Sequence, residues 1–547
     1  MSRFLTYHTK HALLVKCIAF MCLFLGYFTA FSQDYRWAVS AGDVGNERSR
    51  RVAVDSNGVY VLGDFSSITV DFDSTAAGIQ QVVGNLPDPD YYIAKFDTTG
   101  AIIWASEIVT EREILAFDFQ VEPNGIVIVG LSDTTTDFDP VTGNVIPSMV
   151  QKGFIARYIE SSVTDSLDVV RQIDSATISG ITKDIDGNYY VCGSFVGEKD
   201  FGLLTTSFLM SDDSGSAFVM KLNPNLELIW VNNYGPALTD NREEMEIVYN
   251  PNSQQIHLAG SFTVSGNFNP NQSGANPLFT SGQRDGFVLT LDTSGAFVNN
   301  IQLASDVTGA VKINNLEVDL MGNLYLCGHF TGTMDADFSG AGFNLVSAGG
   351  KDGFFAKYNS NGVFTFAESL GSPQDENVSN IRIDPTGAIY LSGDQAGTVD
   401  FNLGVGTNLV NATNVGTAMG FMARYSSNLD LEWVNSLVSL DSTLASHFDL
   451  DGDGNIYLAG SFVDDIDLDP TANIQLRTSN GQSDMFIARY DNCVTAYILQ
   501  QPDSMEVCTG TASNFGLVAG GTDSAYFQYQ WQLFDPGGPA WNDLTNT

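Results

Sequence analysis

The chain has 547 residues, with 64 Asp plus Glu against 24 Lys plus Arg, a formal charge of −40. Nucleic acid and anionic membrane surfaces both require basic patches, so this balance argues against either as a partner and favours solubility and cation binding. Few cysteines in so long a chain argue against a disulfide-built scaffold, leaving a hydrophobic core to hold the protein together.

Residues 1–32 separate from the rest by composition. Arg3, Lys10 and Lys16 lead into the apolar run "CIAFMCLFLGYFTAF", followed by small residues Ala30 and Ser32. This pattern reads as a secretory signal cleaved before Gln33. The run is shorter than the ~20 residues a membrane helix requires, and no later segment is apolar enough to span. Neither Cys17 nor Cys22 sits behind a lipoprotein triplet. The expectation is a soluble exported protein, secreted or at the outer cell surface. Losing three cations with the signal takes the charge from −40 to −43 and leaves Cys192, Cys327, Cys493 and Cys508. Cys192 and Cys327 each precede the last Gly of an apolar run, where a small buried thiol is expected.

From residue 35 onward one pattern recurs. The runs "VYVLGDF", "IVIVGLS", "YYVCGSF", "IHLAGSF", "LYLCGHF", "IYLSGDQ" and "IYLAGSF" place glycines at 63, 130, 193, 260, 328, 393 and 460, steps of 67, 63, 67, 68, 65 and 67 residues. Before each lies an alternating segment and a turn such as "SNG" or "IDG", the signature of a hairpin. After each comes an acidic aromatic element: "DFD" at 71, "DFDP" at 137, "DFG" at 200, "NFNP" at 267, "DFS" at 337, "DFN" at 400 and "DLDP" at 467. A third strand follows, as in "YIAKFD" and "FIARY", and then a fourth, as in "AIIWAS" and "LEWVNS". Four short antiparallel strands per unit, repeated seven times, predict an all-β fold, a seven-bladed β-propeller over 33–493. The seventh copy lacks a fourth strand, whereas "YRWAVSAG" near the start matches one, so residues 35–41 are expected to close the last blade.

These units resemble the secreted β-propeller repeats of bacteria, of the type exported by Bacteroidetes and often carried on multidomain surface proteins. The shared pattern is apolar-Gly-x-Phe, then Asp-Phe-Asp, then Phe-(Val/Ile)-Ala-Lys-Tyr-Asp-x-x-Gly-x-x-x-Trp, and it covers residues 35 to about 492. The resemblance implies a recognition scaffold without shared catalytic residues. Residues 494–547 break the repeat. Cys508 and the alternation around Trp531 look like the first strands of an immunoglobulin-like sandwich, a domain of ~100 residues of which the second half is missing. Cys493 is the one nearby disulfide partner for Cys508, and no sorting domain for type IX secretion is visible.

Three groups of residues are candidates for chemistry. "DLDGDGN" places Asp449, Asp451, Asp453 and Asn455 as a calcium loop begins, but loop position 12 is Gly460 and position 9 is Tyr457, so an acidic hairpin turn competes with calcium. In the Asp-Phe-Asp elements, Asp71, Asp73, Asp137, Asp139, Asp467 and Asp469 offer carboxylates for a cation or sugar, against a turn-capping role with the aromatic between blades. The third-strand cations Lys95, Arg157, Lys221, Lys357, Arg424 and Arg489 read as internal ion-pair partners. His257, His329 and His447 have no spaced metal ligand nearby, so metal hydrolysis and His-based nucleophilic catalysis lack parts. "FDTTGAIIW" is similar to the repeat of quinone-dependent dehydrogenase propellers but lacks their cysteine-lined site, and it misses the sialidase Asp-box. The reading is therefore a monomeric, non-catalytic binding or adhesion module for an extracellular protein or glycan, with no cofactor beyond a possible calcium. An extracellular enzyme on polysaccharide and a structural spacer are the alternatives.

Overall fold

The computed structural model describes residues 34–492 apart from short stretches of loop, together with four short strands beyond residue 496. Residues 1–32, read above as a secretory signal, and Cys493, Cys508 and Trp531 lie outside the described residues. The chain divides into a body of residues 32–490 and a second unit comprising 1–31 and 491–547. All regular elements among the described residues are strands, and no helix is long and apolar enough to cross a membrane.

Four-stranded antiparallel sheets succeed one another along the body. Sheet 1 contains Glu47–Asp55, Gly58–Phe65, Asp90–Phe96 and Ile102–Thr110, each hydrogen-bonded to the next. Sheets 2 to 6 repeat this order, with inner strands Ile114–Glu122, Ala176–Lys183, Glu246–Asn250, Ala310–Val318 and Glu376–Ile383. In sheet 7 the chain supplies Thr443–Leu450, Ile456–Phe462 and Asp484–Asp491, and the fourth strand is Asp34–Ala41. Around this seam the Glu47 amide donates to the Ser483 carbonyl (2.8 Å) and Asn480 Nδ2 donates to the Gly42 carbonyl (3.2 Å).

The sheets pack face to face in sequence order. Ile126 and Ile128 of sheet 2 share a cluster with Tyr60 and Leu62 of sheet 1. Equivalent clusters join each later pair, and Tyr457 and Ala459 of sheet 7 return to Val59 and Val61 of sheet 1. A circuit of sheets that closes on itself is the architecture of a β-propeller. The second strands are buried on both sides, as Gly58–Phe65 is throughout, which is why they read as continuous apolar runs.

The recurring glycine has a steric cause. In six inner strands the register slips by one residue, for example between Ile178 and Gly180 and between Ala445 and His447. The slip carries an inner-strand carbonyl over the glycine. A Cβ on Gly193 would meet Thr177 O at 1.9 Å, and one on Gly460 would meet Leu444 O at 2.0 Å and the Phe486 ring at 2.7 Å.

Beyond residue 496, Tyr497–Gln500 pairs with Val518–Gly520, and Gln532–Phe534 with Trp541–Asp543. These two ladders carry the described part of the segment read as immunoglobulin-like.

The close approach at the glycines is directly testable. Gly460→Ala is expected to lower stability by about 1–3 kcal/mol, read as a denaturant midpoint at unchanged slope. Gly452→Ala, in a turn where nothing lies within 4 Å of the added Cβ, stays within about 0.5 kcal/mol of wild type. Equal midpoints for the two variants would remove the steric explanation.

Candidate functional site

Where the inner strands converge, the residue after the slip forms a column: Arg51, Asp118, Gly180, Asn315, Asn380 and His447, with Glu246 placed there by its pairing with Ala259. Six of these seven are polar in strands otherwise rich in apolar residues. Arg51 of sheet 1 forms an ion pair with Glu246 of sheet 4, and because those sheets are not neighbours, the pair crosses the centre of the ring. Arg51 Nε also donates to the Phe117 carbonyl of sheet 2 (3.2 Å). Asp118 accepts the Phe119 and Ile181 amides at 2.9 and 3.0 Å, tying sheet 2 to sheet 3.

A second hub is Arg382 of sheet 6. Its guanidinium donates to Glu317 Oε2 of sheet 5 (3.2 Å) and Asp449 Oδ1 of sheet 7 (3.2 Å), and lies 3.4 Å from His447 Nε2. Asp449 Oδ2 in turn accepts the Val54 amide of sheet 1 at 3.0 Å. Burial opposes the charge on Arg382, but Glu317 and Asp449 outweigh it and raise its pKa. Burial pushes Asp118 up to about 6, with Arg51 opposing and Glu246 reinforcing. The three histidines downstream of residue 33 are all held neutral by burial: His257 and His329 are pushed down to about 4, and His447 falls well below its usual value. None is poised as a general base near neutral pH.

The residues of the candidate calcium loop have different hydrogen-bond partners. Asp449 belongs to the central network. Asp451 Oδ1 accepts the Asp453 and Asn455 amides (3.0 and 2.9 Å), while Oδ2 accepts from Asn455 Nδ2 (2.9 Å) and the Tyr457 hydroxyl (3.3 Å). This is one copy of a repeated device. Asp184, Asp319 and Asp384 brace their own turns in the same way and bind the hydroxyls of Tyr190, Tyr325 and Tyr390. Over those rings sit Lys221, Lys357 and Arg424 at 4.8, 4.8 and 5.0 Å, and Lys95 and Arg489 cover Tyr60 and Tyr457. The third-strand cations are thus internal partners, and Arg157 pairs with Asp168. Among the described residues, no group of three or more His, Cys, Asp or Glu is gathered to hold a metal.

The Asp-Phe-Asp elements build small hairpins. Asp71, Asp200, Asp335, Asp400 and Asp467 each accept the amide two residues on, at 2.9–3.1 Å. Four of them also accept an amide of the returning strand, as Asp467 does from Gln475 (3.0 Å). Phe72, Phe138, Phe201, Phe268 and Phe401 are buried, and third-strand tyrosines anchor the middle residue, as Tyr425 does by donating to the Phe401 carbonyl at 2.9 Å. Asp73 is half-buried beside its turn, Asp137 lies in the strand Thr136–Asp137, Asp469 is buried and accepts the Thr471 amide, and Asp139 lies outside the described residues. In sheet 5 the element is shifted from the expected "DFS" at 337: Asp335, Ala336 and Asp337 take the positions, with Ala336 in the aromatic's place.

Sequence reasoning missed the central column. Its signal was present, since a polar residue recurs 12 to 14 positions before six of the seven glycines. The gap between sheets 5 and 6 lined by Glu376, Gln395 and Phe401 has no room for a water molecule.

No family model matches the chain. An uncharacterised WD repeat-containing protein of Acanthamoeba polyphaga mimivirus is 22% identical over 514 residues, covering 84% of this chain and 34% of that protein. The chain thus spans about a third of the length of the curated relative it matches. Among solved structures, Sqt1 of Saccharomyces cerevisiae aligns with TM-score 0.36 and 9% identity, covering 90% of this chain and 97% of that one. The phage phi92 endosialidase aligns with TM-score 0.34 and 11% identity over 94% and 80%. A Bacteroides caccae protein of unknown function gives 0.29 and 10% over 63% and 89%. At those scores the fold rests on the sheet order and closing clusters themselves.

The central network sets a pH dependence. Asp118 titrates near 6 when folded and near 4 when unfolded, so its ionised form destabilises fully above pH 6 and ceases to do so toward pH 4. Asp118→Asn removes the charge but turns its Nδ2 toward one of the two amides the carboxylate accepts, so the expected outcome is a denaturant midpoint that improves relative to wild type as pH rises from 4 to 7.5. A difference that does not change with pH would mean Asp118 carries no such burden.

Proposed function

We propose that the seven sheets are the blades of a closed propeller of the exported bacterial type, acting as a non-catalytic scaffold that binds an extracellular protein or glycan. One observation carries this reading: the charged side chains of the ring's centre, of its braced turns and of its third strands are matched within the fold. The central acids are matched to Arg51 and Arg382, the hairpin acids to backbone amides, and the third-strand cations to tyrosine rings. What remains for a ligand is a rigid ring and its surface loops, the usual arrangement for recognition. The relative's description as a WD repeat-containing protein is in keeping with a scaffold. Export rests on the leader at 1–32 and the −40 charge, and calcium on the sequence of residues 449–455 alone.

Two measurements on the full chain test this. Cell fractionation with N-terminal sequencing should find the protein outside the cytoplasm and starting at Gln33. Incubation with acidic and neutral polysaccharides should release no reducing ends and no unsaturated products. Saturable turnover of a polysaccharide would replace the scaffold with an enzyme.

A further inference from the structure

Near the start of the inner strand, the first two strands of a sheet set two polar residues directly opposite one another in sheets 1, 5 and 6. In sheet 1 these are Arg48 and Asp64, which form an ion pair (3.5 Å), and in sheet 6 they are Asn377 and Asp394. In sheet 5 they are Lys312 and His329. A histidine thus stands where sheet 1 has its carboxylate, and the half-buried Lys312 has no ion-pair partner among the described residues.

A second cation lies beside this pair. Gly353 is opposite His329 on its other side, and a Cβ there would meet Val378 of sheet 6 at 2.9 Å, so this face of sheet 5 turns toward sheet 6. Two residues before Gly353 comes the exposed Lys351, whose amide donates to Asp375 Oδ1 (3.0 Å) and whose carbonyl accepts the Glu376 amide (2.7 Å). Lys351 is therefore held at the start of the sheet 6 inner strand. The carboxylates nearby are answered by neutral donors: Asp394 by Asn377, Asp375 by the Lys351 amide and Glu376 by Ser372.

The tautomer of His329 is set by its neighbours. Asn377 Nδ2 donates to Ser379 Oγ (2.9 Å) and Asp394 Oδ1 (3.3 Å), which leaves Oδ1 facing Asn314 Nδ2 (2.6 Å) and His329 Nδ1 (3.0 Å). The ring proton therefore lies on Nδ1, and Nε2 keeps a lone pair with no partner among the described residues. Burial pushes the ring down to about 4, Asn377 opposes, and Lys351, Lys312 and Arg284 add to the fall. The half-buried imidazole stays neutral at pH 7, an acceptor beside two ammonium groups.

That combination selects a ligand chemistry. A metal cation could use the lone pair but is opposed by both ammoniums, and a plain anion satisfies the ammoniums but leaves the lone pair unmet. An anion that also carries a hydroxyl satisfies all three. We propose that the sheet 5 and sheet 6 interface, at the end where the inner strands begin, binds a uronate residue of a glycan, its carboxylate reaching Lys312 and Lys351 and a hydroxyl donating to His329 Nε2. The site rests on the scaffold reading above and takes its glycan branch. The −40 charge of the chain disfavours a long run of acids, so isolated uronates in an otherwise neutral glycan fit best.

The test titrates the full chain at pH 7.5 with a fluorescently labelled xylo-oligosaccharide carrying one glucuronate. Saturable binding is expected, weakened by salt and at least about tenfold tighter than that of the methyl ester. Free glucuronate should displace the probe at least about tenfold better than glutarate, which lacks the hydroxyl. Lys312→Gln with Lys351→Gln should lose about tenfold, while Lys152→Gln, a cation already paired with Asp174, should bind as wild type. His329→Leu should lose the preference for glucuronate over glutarate, and His329→Gln, whose Oε1 can accept, should keep part of it. Circular dichroism and melting separate lost contacts from lost folding, and the competition on wild type needs no variant. Equal affinity for acid and ester, a double lysine variant that binds as wild type, or no binding overturns the site and leaves the scaffold. Displacement by inorganic phosphate as effective as by glucuronate would assign the site to a free oxyanion and overturn the sugar. Polysaccharide turnover, measured separately, would remove the scaffold reading itself.

Discussion

Residues 34–41 lie beside Asp484–Asp491, and contacts such as that of Arg477 with the Ala38 carbonyl join positions 439 residues apart. Every other feature depends on this seam. An open row of sheets would leave the outer strand of sheet 7 missing and one packed face of sheet 1 bare. Closure removes both liabilities at once, at the entropic cost of bringing the chain ends together, a cost that grows only slowly with loop length. The seam also lets the centre be specified. The hydrogen bond from the Val54 amide to Asp449 and the Arg51–Glu246 pair form only when sheets 7, 1 and 4 face one axis.

The centre is an unusual place for so many charges. Burying an ion is expensive unless it is paired and hydrogen-bonded, and an apolar plug of the same shape is often the more stable choice. Here each hub reaches at least two other sheets: Arg51 to sheets 2 and 4, Arg382 to sheets 5 and 7. Apolar contacts between adjacent sheets tolerate sliding, while a guanidinium held by two carboxylates does not. The network joins sheets that share no aliphatic cluster, as Arg51 joins sheets 1 and 4, while the aliphatic clusters join neighbouring sheets.

Much of the fold was legible because its constraints are local. The glycine spacing follows from a carbonyl pressed onto six of the seven glycines, the Asn-Gly and Asp-Gly turns from hairpin geometry, and the surplus strand at residues 35–41 from a missing one at the end of the last repeat. The site was less legible. Asp449, Asp451 and Asp453 look alike in sequence, yet one faces the axis, one braces a turn and one lies in that turn with its amide bonded to Asp451, because strand ends and turns send alternate residues in different directions. The shift in sheet 5 was hidden since Ala336 replaces the aromatic that marks the element elsewhere. The Arg51–Glu246 pair escaped because its partners belong to sheets that never touch along the chain.

The functional account and the fold meet in one claim, that the ring is closed and rigid through the seam, so that its loops are displayed on a fixed frame. Native-state hydrogen exchange by mass spectrometry tests it most directly. The account predicts that amides in 34–41 and 484–491 exchange as slowly as those of the strand pair Met419–Tyr425 and Leu431–Ser436, opening only with the whole body. Rapid exchange confined to 34–41 and its neighbours, with the other sheets still protected, would show an open seam and contradict the closed ring.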